Sequence, residues 1–241
     1  MSKRIILLDA GSAGIRELGI RIQEMGYRLL PTKTPDQAER LLVEHGSEIG
    51  AMVIPVDLPA FDLGAALRFL RRLEPTGELT FVAAGCGADA DGRRLLRSAG
   101  VELALWKPVD DHTLRFQINR ALAESEIVLG NRQALRAPTD WPAIVWAGQR
   151  RKPARIYAIS ADGAYLSTMR PSLPNVPLGL EFPLPSGRVR VNARVVSTNV
   201  PGNLLRRQLP LGMAVRFEDL PREVGGEIHD WIRGRLVSIG F

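Results

Sequence analysis

Little in this sequence could carry a reaction or hold a metal. Among its 241 residues there is one cysteine, Cys86, which excludes an internal disulfide and fits a reducing cytosol. The three histidines, His45, His112 and His229, lie far apart with no thiol or carboxylate cluster beside them, so no metal site is expected. Long apolar runs are missing too. Ile5-Ile-Leu-Leu8 is far too short for a signal-peptide core or a membrane span. Gly85-Cys-Gly87 does not extend to a dinucleotide fingerprint, and neither a nucleophile–base pair nor a carboxylate dyad stands out. These gaps argue against an enzyme and against a resident cofactor. A Ser/Gly-rich linker is also lacking.

What is present describes a globular protein. Hydrophobic residues make up 45% and charged residues 24%, enough apolar side chain for one large core or two ordinary ones. The formal net charge of +6 invites a nucleic-acid reading. The basic residues, however, are pairs spread along the chain (Arg71-Arg72, Arg93-Arg94, Arg150-Arg151, Arg206-Arg207), interleaved with acids. That pattern reads as a solvated surface, and nucleic acid is not expected as a partner.

Residues 1 to about 127 alternate short apolar runs with longer amphipathic ones. Strands are expected at 4–10, 28–30, 51–56, 79–84 and 103–106. Helices are expected between them, with Ile15, Leu18, Ile22 and Met25 on one face of the first. Thr34-Pro35-Asp36-Gln37 is a helix start, with a hydroxyl cap, proline at the first position and Gln at the capping-box place. Gly26, Gly46 and Gly100 close helices. A last helix is expected over 111–129. Five strands alternating with helices predict a parallel sheet covered on both faces.

After Pro138 the chain turns β-rich. Strands are expected at 141–147, 154–159, 164–168, 178–182, 189–199 and 213–217, with turns at Gly148, Asp162-Gly163 and Ser186-Gly187. Such strands predict a small closed barrel. A helix over 221–236 would turn Val224, Ile228, Trp231, Ile232 and Leu236 toward it, and Trp141 and Trp146 are expected in its core or rim. Val200–Pro210, with Leu204-Leu205 and Arg206-Arg207, is a hairpin tip that could form a partner patch. Just ahead of the barrel, Arg132 and Arg136 stand four apart in Asn131-Arg-Gln-Ala-Leu-Arg136. That spacing puts both on one side of a helix or a strand. Two guanidinium forks suit a ligand carrying phosphates and flat, acceptor-rich rings.

The two halves resemble two families. Lys107-Pro108 after the fifth strand and Asp9 at the end of the first are similar to the receiver domain of response regulators, a flavodoxin-like fold of five βα units. The family's second acid is Ala10 here. Pro55 stands at the phosphoacceptor aspartate's place, Asp57 lies two residues later, and Phe81-Val-Ala-Ala-Gly85 carries no hydroxyl. The resemblance therefore implies a pseudo-receiver that is not phosphorylated, with dimerisation or docking through an outer helix face as its remaining work. In the second half, R-x-x-x-R, then Ser160-Ala-Asp-Gly163, then Gly212 to Phe217 resemble the PilZ domain, whose motifs are R-x-x-x-R and D/N-x-S-x-x-G. Ala158 stands where that family has Asp or Asn.

This second resemblance implies a small all-β barrel with a C-terminal helix and a cytoplasmic bacterial receptor for cyclic di-GMP. Arg132 and Arg136 would hold phosphate or guanine, Ser160 would hydrogen-bond a base or phosphate, and Gly163 would let the ligand approach backbone. Motility or surface-associated behaviour would be the output. The expected division is 1–127 and 128–241, with 128–138 a hinge carrying the arginine pair, so that a ligand there would fix the angle between domains. The alternative is an adaptor that has lost both ligands and works by binding other proteins. Ala10, Pro55 and Ala158 are the residues that favour it.

Overall fold

The computed structural model describes residues 3–56, 63–73, 79–122, 135–204 and 208–240. The chain forms two compact units, one of residues 1–131 with 238–241 and one of residues 132–237.

The first unit is a five-stranded parallel sheet with helices between its strands. The order in the chain is β1 (Arg4–Leu8), α1 (Ala13–Glu24), β2 (Leu29–Thr32), α2 (Pro35–His45), β3 (Ile49–Pro55), α3 (Leu63–Leu73), β4 (Thr80–Gly85), α4 (Ala90–Ser98), β5 (Leu103–Trp106) and α5 (Asp111–Ala121). The strands lie in the order β2-β1-β3-β4-β5, the flavodoxin-like arrangement. Every residue of β3 is buried, as a central strand covered on both faces requires. Two apolar clusters line the faces, one with Ile5, Leu7, Val53 and Val82, the other with Ile6, Leu8, Met52 and Phe81.

The expected Thr34 cap is in place, and Gly26 and Gly100 follow α1 and α4 with positive φ, whereas Gly46 is right-handed and leads into a 3-10 turn. Thr34 Oγ1 accepts from Gln37 N at 3.4 Å, and Gln37 Oε1 accepts from Lys33 N at 2.8 Å. Asp89 and Asp110 cap α4 and α5 in the same way. α5 ends at Ala121 with Leu122 as its cap; the last stretch once expected to continue it, 123–129, lies outside the described residues.

The second unit is a closed antiparallel barrel of six strands with one helix: β6 (Arg136–Ala147), β7 (Arg150–Ser160), β8 (Gly163–Ser167), β9 (Pro177–Leu184), β10 (Gly187–Asn199), β11 (Gly212–Glu218) and α6 (Arg222–Ile239). The closed order is β10-β11-β8-β7-β6-β9. Inward positions alternate as the pleat demands, with Val145, Ile156, Leu166, Leu180, Phe182, Val191, Val195 and Val215 in one core. Trp141 stacks on Phe182 with centroids 6.2 Å apart and lies 4.3 Å from Trp231 of α6. Ile228 and Ile232 are buried beneath that helix, with Val224, Trp231 and Leu236 packed alongside, the face that the sequence periodicity predicts.

Several boundaries differ from the sequence reading, among them the starts of β6 and of β7, which begins at Arg150. β6 starts at Arg136 rather than Trp141, so part of the expected connector is strand. Pro138 and Pro142 obscure it. They are tolerated because β9 pairs only with Ile144–Trp146, leaving the first part of β6 with β7 as its one partner, and a bulge falls between Pro138 and Trp141.

Closure of the barrel depends on glycine. A Cβ on Gly163 would collide with the Val215 carbonyl oxygen of β11, and one on Gly212 would collide with the Leu166 carbonyl oxygen of β8. Gly163→Ala is therefore expected to destabilise the protein by roughly 1–3 kcal/mol in chemical denaturation, the usual cost of overpacking. Gly226→Ala is the control: this helical glycine has open space around its missing Cβ, and alanine there should be neutral or stabilising. Equal behaviour of the two variants would remove the strand-packing role assigned to Gly163.

Candidate functional site

The motif residues of the barrel meet on its outer wall. Arg136 on β6 is the cross-strand partner of Ser160 on β7; Ser160 faces Gly163 on β8; Gly163 faces Arg216 on β11. These four positions form one row across four strands. Arg136 and Arg216 are exposed at its two ends. The next outward row is Pro138, Ala158, Tyr165 and Ala214. Ile159, between Ala158 and Ser160, points into the core, which puts its two neighbours on the outer side. A register shift between Ile156 and Ala158 adjusts the strand just before the motif.

Both outward positions are nevertheless covered, with Ser160 1% exposed and Ala158 7%. The Ser160 hydroxyl donates to the Gly163 carbonyl at 3.1 Å and so closes its own turn. The backbone that approaches Gly163 is that of β11. Asp162 at the turn is exposed, and its carbonyl accepts from Phe217 N at 2.8 Å. Tyr165 is held to the neighbouring loop by donating its hydroxyl to Pro210 O at 2.6 Å, and burial pushes its pKa up to about 12, so the phenol stays neutral. Arg132, the other half of the arginine pair, lies outside the described residues.

Two features here escape a linear reading. Arg216 stands 53 positions beyond Gly163 in the chain and is brought beside it only by barrel pairing. Arg155 on β7 donates through Nη2 to Asp140 O at 2.6 Å and through Nε to the Asp140 carboxylate, fastening β7 to the bulged part of β6. Asp140 is thereby committed to a structural ion pair.

The receiver-like unit has its own candidate pocket at the end of β1. Asp9 is buried, and its carboxylate accepts from Gly11 N at 2.7 Å. Its other oxygen lies 3.8 Å from Arg16 Nη1. Pro55 ends β3 opposite Ala84 of β4, and both are buried, so neither offers an oxygen from its side chain. Lys107 Nζ packs against the first turn of α1, where a Cβ on Gly14 would collide with it. Asp57 lies outside the described residues.

Divalent magnesium takes several oxygen ligands, at least one or two of them carboxylates. Here one carboxylate is already met by a backbone N–H and a guanidinium, and among the described residues no three acidic, His or Cys side chains cluster. The donor set does not fit the ion. Arg16 supplies the positive charge that a metal would bring.

No family model and no curated protein matches the chain. Solved structures do show likeness. The inhibitor of motility MotI/DgrA from Bacillus subtilis superposes with a TM-score of 0.38 and 16% identity, covering 45% of this chain and 52% of that one. The chain thus spans about half the length of the Bacillus protein. A pilus assembly-related protein from Burkholderia pseudomallei gives 0.44 and 22%, covering 51% of this chain and 90% of that one. The receiver domain of a sensor histidine kinase from Pseudomonas aeruginosa, solved with magnesium in its active-site cleft, gives 0.43 and 21%, covering 52% and 100%. These likenesses stop at the fold, which the strand order already establishes.

The Asp9 pocket generates a test. Incubation with acetyl phosphate and magnesium should leave the intact mass unchanged, because no carboxylate stands at the Pro55 position. An acid-labile adduct of one phosphoryl group would overturn this reading of the pocket.

Proposed function

We propose that this protein is a non-enzymatic bacterial signalling regulator whose barrel receives cyclic di-GMP on its outer wall, while the receiver-like unit serves dimerisation or docking without being phosphorylated. The observation that carries the reading is the row Arg136–Ser160–Gly163–Arg216, with exposed arginines at its two ends and only a serine and a glycine between them. Arg132 and Arg136 match the arginine pair of the PilZ motif, and Ser160 and Gly163 match its second half.

In this reading arginine does the binding. Its fork pairs with phosphate in bidentate fashion, caps guanine O6 and N7, and stacks on the base. Ser160 and Gly163 act by holding the hairpin turn that supports the row, as the hydroxyl's bond to Gly163 O and the close approach of β11 indicate. Guanine's Watson–Crick edge also carries N–H donors, which arginine cannot accept. Ala158 offers no acceptor there, and the exposed Asp162 is the nearest acid on the same turn.

The adaptor reading has its own support. Ala158 and Ser160 are covered, and the serine hydroxyl is already bonded. Titration calorimetry with cyclic di-GMP separates the two. Binding that falls roughly ten- to a hundred-fold in Arg132→Ala and in Arg136→Ala, as loss of one charge-assisted bond predicts, supports the receptor. Arg206→Ala is the control, and equal losses there would mean that bulk charge attracts the ligand. No heat with the wild-type protein would leave the adaptor.

A carboxylate restored at position 158 provides a second test. Because the position is covered, Ala158→Asp buries a charge unless it finds a donor, so the free variant should be less stable than wild type. With cyclic di-GMP present the new acceptor can meet guanine's donors, and affinity should rise about ten-fold or more. Unchanged or weaker affinity in a folded variant would detach Ala158 from the binding face.

A further inference from the structure

The wall of the barrel at the other ends of β6 and β7 holds a second arrangement that the motifs do not touch. Arg151 on β7 pairs with Trp146 on β6, Trp146 with Gly179 on β9, Gly179 with Asn192 on β10, and Asn192 with Glu218 on β11. Over this row opens a cleft of about 390 Å³, floored by Gly179 and walled by Trp146, Arg190, Asn192, Glu218 and Asp219. Trp146 is ten positions along β6 from Arg136. On β6 the cleft stands apart from the Ser160 row, whereas on β11 its Glu218 is the next outward position after Arg216.

The guanidinium end of this cleft is built rather than incidental. The Arg190 Cζ lies 4.6 Å and the Arg151 Cζ 4.9 Å from the centroid of the Trp146 ring. A Cβ on Gly179 would stand 3.1 Å from Arg190 Nε and 3.2 Å from its Nη2, so this guanidinium lies close over the β9 backbone. Stacking fixes the plane of an arginine fork while leaving its N–H edge for hydrogen bonds. Neighbouring arginines have carboxylates: Arg188 pairs with Glu181 and Arg194 with Glu218. Among the described residues Arg151 and Arg190 have none.

The Trp146 indole N–H is buried and has no acceptor among the described residues. At the opposite wall the polarity reverses. Asp219 is exposed, with a backbone φ of +50°, and has no cation beside it among the described residues. Asn192 lies between the two ends. The cleft is thus donor-rich at one end and acceptor-rich at the other, with a volume in the range of small-ligand sites.

We infer that this cleft binds a small polar ligand that presents an oxyanion, phosphate or carboxylate, to the Trp146-stacked guanidinium of Arg190, and an N–H donor to Asp219. The site is independent of the cyclic di-GMP reading. It takes its ligand through the stacked guanidinium of Arg190, which does not belong to the arginine motif.

The test uses the full chain, labelled with nitrogen-15. The indole N–H resonance of Trp146 is identified by its absence from Trp146→Phe. Inorganic phosphate, adenosine 5′-monophosphate and glutamate are titrated separately at constant ionic strength, with sodium chloride as the reference. A saturable shift of the Trp146 indole signal with phosphate or the nucleotide identifies a phosphate site, and one with glutamate identifies a carboxylate site; either supports the inference. Arg190→Gln should weaken that binding at least ten-fold, and Gly179→Ala should weaken it by displacing the guanidinium from the ring. Asp219→Asn should weaken the amine-bearing probes while leaving inorganic phosphate unchanged. A shift that does not saturate, equals that of chloride, or survives Arg190→Gln unchanged would overturn the inference.

Discussion

The barrel rests on one steric constraint, the approach of β8 to β11 at its closing seam. Two glycines stand there because the carbonyl oxygens of Val215 and Leu166 occupy the space that a Cβ would need. Once the seam closes, pairing runs around all six strands, with the first part of β6 left open on its β9 flank. The same closure fixes which side chains face outward. It lines them up in rows perpendicular to the strands, where they meet residues distant in the chain.

This constraint changes the meaning of the S-x-x-G half of the motif. Taken as a string, Ser160 and Gly163 are ligand contacts. In the folded barrel each first does something for the fold: the hydroxyl closes the hairpin turn, and the missing side chain admits the β11 backbone. The two roles are compatible, because a turn held rigidly by its own serine also fixes the row that carries Arg136 and Arg216. A binding surface is most effective when its geometry is set before the ligand arrives. Positions can therefore keep the motif for structural reasons alone, and the presence of Ser160 and Gly163 is weaker support for binding than the arginines are.

Much of the fold was legible because its signals are local. Strand and helix periods, the Thr34-Pro35 start and the glycines after helices each depend on residues a few positions apart, and the parallel sheet follows from their alternation. The face of α6 was legible for the same reason. The start of β6 was not, since prolines at 138 and 142 argue against a strand unless one flank is known to be unpaired. Arg216 and the Trp146 cleft were invisible because they exist only through pairing between strands far apart in sequence. The pairing of Asp9 with Arg16 was not legible either, because a turn of unspecified geometry separates the two in the chain.

Charge brings these strands together. The chain has six more basic than acidic side chains, and by composition alone that excess is diffuse. In the folded units the acids are not evenly available: Glu218, Glu181, Asp140, Asp111 and Glu102 are each engaged with an arginine that ties one element to another. Carboxylates committed to such pairs cannot neutralise the arginines that remain. Among those that remain are Arg216 at one end of the outer wall and Arg151 and Arg190 at the other. Surface ion pairs add little stability, about 0–1 kcal/mol each. Their larger effect here is positional: they tie neighbouring elements together, and among the described residues Arg151, Arg190 and Arg216 on the outer wall of the barrel have no carboxylate partner, so an anion can reach them.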